Sequence, residues 1–100
     1  MNLNTIHSVY FVGIGGIGMS AIARFFKQRN VQVSGYDKTE TPLTLQLQTE
    51  GIHIHYTEDV NLLNKEVDLV IYTPAIPATN QVLLWYQQHQ YIVVKRSDIL

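Results

Sequence analysis

The sequence predicts an α/β protein with a Rossmann-like, doubly wound parallel sheet of five strands in the order 3-2-1-4-5. Apolar, strand-like runs alternate with amphipathic helical segments along the 100 residues, which is the pattern of successive β-α-β units. A glycine-rich turn joins the first run to the first helix, and Asp37 ends the second run. Because such crossovers are right-handed, the strand order reverses between the first and fourth strands, where open sheets of this class bind ligands.

The first half of the chain is predicted to form three strands and two helices. The strands are Ser8–Gly13, Val31–Tyr36 and the short edge strand Ile52–Tyr56. Apolar residues spaced i, i+3, i+4 and i+7 define the core face of the first helix, namely Met19, Ile22, Ala23 and Phe26. The second helix starts at a Thr41 cap with Pro42 in its first position, turns Leu43 and Leu47 to the core, and ends at Gly51.

The second half is predicted to add two strands around one helix. A polar connection over residues 57–66, with a helical turn near Asn61–Leu63, leads to the strand Val67–Tyr72. Two prolines keep the loop Thr73–Pro77 out of a helix. The next helix starts at Thr79 or Asn80, and its core face comprises Val82, Trp85, Tyr86 and His89. The strand Tyr91–Val94 and the start of another helix at Arg96–Leu100 follow, and we expect the chain to be a piece of a longer protein.

Composition excludes several classes of protein. A hydrophobic content of 46% and a charged content of 15% are typical of one globular domain. The formal net charge of −1 gives no electrostatic basis for binding nucleic acid or an anionic membrane. The absence of cysteine excludes a disulfide scaffold, a cysteine nucleophile and a thiolate metal site. Without an apolar run of about 20 residues or a signal peptide, we expect a cytoplasmic protein with no membrane partner.

The glycine-rich turn is the strongest functional signal. Gly13, Gly15 and Gly18 have the G-x-G-x-x-G spacing, Gly16 lies between them, and the motif connects an apolar strand to an amphipathic helix. Glycine lets a ligand approach the backbone, and the first amides of the helix, including that of Met19, can bind a diphosphate. The alternative is a purely structural turn.

Two further groups are expected at the same edge of the sheet. Asp37 follows the last glycine by 19 residues, where a carboxylate can accept hydrogen bonds from a ribose; alternatively it is a solvated turn residue next to Lys38. Thr73 offers a hydroxyl at the start of a stiff loop that faces the glycine turn across the crevice, and the alternative is a rigid connection.

Other kinds of chemistry lack a sequence signal. His53 and His55 share one face of a strand but have no third ligand at a suitable spacing, so we expect no metal site. The chain contains no G-x-x-x-x-G-K-[ST] loop and no arrangement of side chains typical of a catalytic centre. We therefore expect a binding domain without a catalytic residue or a cofactor of its own.

Four stretches of the chain resemble the N-terminal domain of the Mur ligase family. The opening strand and glycine loop, H-S-V-Y-F-V-G-I-G-G-I-G-M-S over residues 7–20, carry the most specific resemblance. The segments 33–37, 72–76 and 94–100 resemble the second strand with its acid, the loop after the fourth strand, and the approach to the next domain. The resemblance covers nearly all of residues 1–100, but only the first domain of a three-domain enzyme.

The resemblance implies that this domain holds the UDP part of UDP-N-acetylmuramate. The backbone would contact the diphosphate at Gly15, Gly16, Ile17, Gly18 and Met19. Asp37 and Lys38 would contact the uridine, and Thr73, Ala75 and Ile76 would line the opposite wall. The whole enzyme would use ATP and Mg²⁺, bound by later domains, to form an acyl phosphate that the amine of L-alanine attacks. This chain alone would bind and not ligate.

Two departures from the family pattern affect the predicted contacts. Thr57-Glu58 stand where many relatives have a Gly-His pair, and Pro74 removes a backbone donor after the fourth strand. Three alternative functions also remain open at this stage. They are a ligase that recycles murein tripeptides, an NAD-binding module of a dehydrogenase or a regulatory sensor, and an interaction domain without a ligand.

Overall fold

The computed structural model describes residues 2–99, which form a five-stranded parallel sheet with helices on both faces. The strands are β1 (Ser8–Val12), β2 (Gln32–Tyr36), β3 (His53–His55), β4 (Leu69–Tyr72) and β5 (Val93–Lys95). The helices are α1 (Ile17–Gln28), α2 (Pro42–Thr49) and α3 (Gln81–Gln88), and 3-10 turns span Leu3–Thr5, Val60–Leu62 and Arg96–Asp98. The order β3-β2-β1-β4-β5 confirms the predicted fold class.

Two core layers enclose the sheet. The layer under α1 and α2 contains the whole predicted stripe of α1, because Met19, Ile22, Ala23 and Phe26 are all buried. The opposite layer packs α3 against alternate residues of the strands, among them Tyr10, Val12, Tyr36 and Val70. β1 and β4 contribute side chains to both layers, which explains why their sequences are apolar without alternation.

The strands of the sheet end at the same level, so the loops that follow them leave the sheet at one edge. Val12 pairs with Tyr36 on one side and with Tyr72 on the other, and Tyr72 pairs with Lys95. The residues that follow these positions therefore leave the sheet at the same carboxyl edge. This arrangement brings together segments that are up to 83 positions apart, from Gly13 to Arg96.

The predicted ends of helix α2 are confirmed, but its predicted core face is partly wrong. Thr41 caps the helix in a capping box with Thr44, and Gly51 has a φ of +95° just after the end. Leu43 is only half-buried, whereas Thr44 is fully buried. Thr44 can take this core position because its hydroxyl is bonded to the Thr41 backbone and accepts a hydrogen bond from the Tyr56 hydroxyl at 2.9 Å.

In the second half of the chain, helix α3, strand β5 and the last predicted helix also differ from prediction. Asn80, rather than Thr79, caps α3, whose buried residues are Val82, Leu83 and Tyr86; Trp85 is half-buried and His89 is exposed. β5 starts two residues later than predicted, after a turn in which Gln90 has a φ of +65°. The predicted final helix is a 3-10 turn, and its last residue, Leu100, lies outside the described residues.

Candidate functional site

The glycine-rich loop is fixed to the end of β2 by backbone hydrogen bonds. Gly13 has a φ of +89°, and the amides of Gly13 and Ile14 both donate to the carbonyl of Tyr36, at 2.8 and 3.0 Å. A left-handed φ of this kind favours glycine at this position. The first part of the loop therefore serves the fold, and its amides are not available to a ligand.

Asp37 supports the next part of the loop. Its Oδ2 accepts a hydrogen bond of 2.8 Å from the amide of Gly15, and its Oδ1 accepts one of 3.1 Å from the amide of Thr39. Of the predicted diphosphate contacts, Gly15 thus already has a partner within the protein. Each carboxylate oxygen of Asp37 keeps a further lone pair, so the side chain can still accept a hydrogen bond from a ligand.

The amino-terminal end of α1 is open. Gly16 is its N-cap, has no side chain to bond the helix, and accepts the first helical hydrogen bond from Ser20 at 2.8 Å. The amides of Ile17, Gly18 and Met19 donate no hydrogen bond within residues 2–99. Three donors and the positive end of the helix dipole therefore point out of the same turn.

The four glycines of the motif have different structural reasons to be glycine. A Cβ on Gly13 would lie 2.5 Å from Cγ2 of Thr73, and one on Gly15 would lie 2.7 Å from Oδ2 of Asp37. A Cβ on Gly16 would meet nothing closer than 3.8 Å, and its φ of −68° suits any residue. Gly18 is intermediate, with Nη1 of Arg96 at 3.1 Å. The fold of residues 2–99 thus favours glycine at position 13 through φ and close contact, and at position 15 through contact with Asp37, but not at 16.

A cavity of about 260 Å³ lies between the glycine loop and the loop after β4. The residues lining it are Gly13, Gly16, Asp37, Lys38, Thr73, Ala75, Ile76 and Pro77. Six of the ten predicted site residues are therefore brought together around one space. The other four do not line it: Gly15 is held by Asp37, Ile17 and Gly18 are exposed, and the side chain of Met19 is buried in the core.

The loop after β4 forms a rigid wall for this cavity. The amide of Ala75 donates to Oγ1 of Thr73 at 3.3 Å, and the amide of Ile76 donates to the carbonyl of Thr73 at 3.0 Å. These bonds use both amides inside the loop. The wall therefore presents apolar surface and the Thr73 hydroxyl, with no free amide from Ala75 or Ile76.

A second cavity of about 160 Å³ adjoins the first and shares Lys38, Ile76 and Pro77 with it. Its other lining residues, which sequence reasoning did not single out as site residues, are Tyr36, Glu58, Thr79 and Asn80. Burial, and then the neighbouring carboxylate of Glu58, raise the pKa of the Tyr36 phenol. Tyr36 therefore stays a neutral hydroxyl at this cavity. Its position at the end of β2, next to Asp37, was the available sequence signal.

Other features of the described residues lie outside these two cavities. A larger cavity, about 370 Å³, is at the opposite end of the sheet, beside the 3-10 turn at Leu3–Thr5 and the end of α1. His53 and His55 do share a face of β3, and residues 2–99 contain no cluster of three side chains suited to hold a metal. In the same range no helix is long and apolar enough to span a membrane.

Comparison with known proteins decides the family. Residues 8–100 match the family described as "Mur ligase family, catalytic domain". The chain belongs to the Mur ligase family. A UDP-N-acetylmuramate–L-alanine ligase of Cytophaga hutchinsonii is 51% identical across all of this chain, and one from Flavobacterium johnsoniae is 48% identical across all of it. The chain spans 22% and 23% of these two Mur ligases, or about a fifth of their length.

Solved structures of Mur ligases share the fold. The crystal structure of a UDP-N-acetylmuramate–alanine ligase from Thermotoga maritima superposes with a TM-score of 0.85 at 33% identity, over 91% of this chain and 21% of that one. A Neisseria UDP-N-acetylmuramate:L-alanyl-γ-D-glutamyl-meso-diaminopimelate ligase superposes with a TM-score of 0.81 at 21% identity, over 92% of this chain and 29% of that one. At that lower identity the second match supports the fold alone.

Proposed function

We propose that the chain is the N-terminal domain of a UDP-N-acetylmuramate–L-alanine ligase and holds the UDP part of UDP-N-acetylmuramate. The relatives of about 50% identity that match the whole chain carry that enzyme's name. The observation that carries the proposal within the structure is the uncapped start of α1 behind Gly16. It combines free donors, a positive dipole end and open space, which together suit an anion bound to the backbone.

In this proposal the diphosphate lies on the first turn of α1. The amides of Ile17, Gly18 and Met19 donate to its oxygens, and the missing side chain at Gly16 leaves room for the close approach. Gly15 acts indirectly, since its bond to Asp37 holds the loop in place. Lys38 lines the cavity and adds a positive charge near the bound anion.

The nucleoside is assigned to the two adjoining cavities. Asp37 is the acceptor proposed for a ribose hydroxyl, through the lone pairs that Gly15 and Thr39 leave free. Ile76 and Pro77 line both cavities and offer apolar surface to the base. Thr73 and Ala75 complete the wall of the first cavity, as proposed from the family resemblance.

The chemistry of the whole enzyme is assigned to parts outside this chain. In the proposed reaction the muramoyl carboxylate takes the γ-phosphoryl group of ATP, releasing ADP. The amine of L-alanine then displaces the phosphate and forms an amide bond. The sites for ATP, Mg²⁺ and L-alanine are proposed to lie in the other domains of a cytoplasmic enzyme of peptidoglycan synthesis, and this domain is proposed to contribute binding energy and no catalytic residue.

A titration followed by backbone amide NMR tests the proposal against NAD binding and against a domain without a ligand. We expect UDP-N-acetylmuramate to shift the amide signals of residues 15–19 in a saturable way, and NADH to leave them unchanged. A saturable response to NADH alone would favour an NAD module. No saturable response to either ligand would contradict the proposal.

A pair of valine variants checks the location of the ligand. Gly16→Val should keep the fold, because its φ and the open space around it accept a side chain, but should abolish UDP binding by filling the diphosphate's place. Ala21→Val is the matched control, since Ala21 is an exposed residue one turn further along the same helix. Wild-type affinity in a folded Gly16→Val protein would refute the assigned loop.

A further inference from the structure

We propose that Arg96 binds the diphosphate and so reads the charge of the ligand; this rests on the proposed function. Neither the glycine motif nor the family resemblance assigned this residue to the site. The assignment follows from where the register of the sheet places Arg96 and from what its side chain contacts.

The register places Arg96 at the level of the ligand loops. Val12 pairs with Tyr72, and Tyr72 pairs with Lys95, on three adjacent strands. The next residue on each strand is therefore the first to leave the sheet: Gly13, Thr73 and Arg96. Two of these three positions line the cavity described above. Arg96 thus leaves the carboxyl edge beside the same site.

Alternation along β5 directs Arg96 to the α1 side of the sheet. Val94 packs against the core layer under α1, whereas Val93 packs against the opposite layer. Side chains two positions apart share a face of a strand. Arg96 therefore emerges on the same side as α1, and its neighbour Lys95 emerges on the other side.

The side chain of Arg96 lies across the first turn of α1. A Cβ on Gly18 would be 3.1 Å from Nη1 and 3.3 Å from Cζ of Arg96, so the guanidinium rests over that glycine. Within residues 2–99 the only ion pair joins Arg24 to Glu50, which leaves Arg96 without a carboxylate partner there. Glycine at position 18 is what allows the guanidinium to come this close.

A cation in this position is unfavourable without an anion. The start of a helix carries a partial positive charge, and Arg96 adds a full charge beside Gly18 in the same first turn. A diphosphate would accept hydrogen bonds from the amides and from the guanidinium together, which removes the repulsion. Arginine suits this role because its planar donors match phosphate oxygens in pairs.

The test compares ligands that differ only in phosphate, using calorimetric titration of the 100-residue chain with UDP, UMP and uridine. Arg96→Ala should weaken UDP binding by about tenfold or more, which is the loss typical of a charge-assisted contact, and should change uridine binding less than about twofold. The UDP affinity of the Arg96→Lys variant should lie between those of Arg96→Ala and the wild type, since lysine keeps the charge but loses the paired donors.

Lys95→Ala is the matched control, because it removes a neighbouring exposed cation on the opposite face of β5. It should leave UDP affinity within about twofold of the wild type. If Arg96→Ala binds UDP as the wild type does, or if both alanine variants weaken it equally, the role of Arg96 is refuted while UDP binding by the domain stands. If the wild-type chain does not bind UDP saturably, the proposed function itself fails and this inference fails with it.

Discussion

Two helices begin at the same edge of the sheet, and they begin differently. At the start of α3, each of the first three amides donates a hydrogen bond to a side chain of the protein. The side chain of Asn80 accepts from Val82 at 3.0 Å and from Leu83 at 3.1 Å, and Glu58 accepts from Gln81 at 2.7 Å. Asn80 is buried, so its two bonds are protected from water, whereas the bond to Glu58 is exposed.

The start of α1 has none of these partners. Its N-cap is Gly16, and the amides of residues 17–19 have no acceptor among residues 2–99. Both helices are amphipathic and pack on the sheet, so packing does not explain the difference. A helix start closed by its own side chains serves stability, whereas one left open at a cavity is available to a ligand.

The largest effect is expected when the start of α1 receives an N-cap side chain like that of α3. Gly16→Asp places a carboxylate where it can accept from the free amides, as an N-cap aspartate does. We expect the free energy of unfolding to rise by about 0.5 kcal/mol, from capping and the helix dipole. We expect UDP affinity to fall by about a hundredfold or more, because the carboxylate occupies the anion's place and repels it.

Gly16→Asn is the control for this change, because it caps the helix in the same way without a negative charge. It should lose less affinity than Gly16→Asp. Urea denaturation and calorimetric titration of the same samples measure both effects. Unchanged UDP binding by a folded Gly16→Asp chain would show that the open helix start is not the site.

The second prediction opens α3 instead. Asn80→Ala removes the acceptor of two amides in a buried position, so we expect the free energy of unfolding to fall by about 1–2 kcal/mol. Thr79→Ala, at the exposed neighbouring residue, should change it by less than about 0.5 kcal/mol. Denaturant unfolding measures both. Equal stability of the two variants would contradict a structural role for the α3 cap.

The smallest expected effect concerns pH and the segment that carries Glu58. His55 is the last residue of β3. Its Nδ1 donates a hydrogen bond of 3.0 Å to the Thr57 carbonyl, because a carbonyl can only accept. The other ring nitrogen of His55, Nε2, therefore accepts a hydrogen bond from the buried Tyr10 hydroxyl. Burial, followed by the positive neighbour His53, lowers the pKa of His55, against the opposing effects of the Thr57 carbonyl and Asp59. The folded protein thus disfavours the charged form.

The sign of the pH effect follows from this shift. The unfolded chain takes up a proton at His55 near pH 6.5, and the folded chain does so only at lower pH. Stability contributed by neutral His55 is therefore complete above that value and is lost as pH falls below it. Urea unfolding between pH 7.5 and 5.5 should show the decrease. His55→Gln should reduce the slope most, whereas the exposed His53→Gln, which removes only a smaller cause of the shift, should reduce it less. An identical slope in all three proteins would contradict the assignment.

Local signals predicted the parts of the site that lie on one stretch of chain. The glycine spacing correctly indicated a bend between β1 and α1, and the position of Asp37 indicated a carboxylate beside it. The same signals could not separate Gly15 from Gly16. That difference depends on what surrounds each Cα, since Asp37 fills the space beside one and nothing fills the space beside the other.

The error in the predicted core face of α2 has the same origin. Thr44 replaces Leu43 in the core because its hydroxyl finds partners in Thr41 and in the distant Tyr56. The periodicity of apolar residues cannot show such a partner. Glu58 likewise caps α3 across 23 positions, a contact that no local pattern in the sequence predicts.

Local sequence patterns were enough to predict the fold class, the strand order and the position of the open helix start, because periodicity, turn residues and crossover handedness act over short stretches of chain. The folded structure was needed to show which amides stay free, that Glu58 and Asn80 cap α3, and that Arg96 lies over Gly18. These outcomes depend on side chains from distant segments that meet at one edge of the sheet. Their distances are set by strand register and packing, which only the folded chain defines.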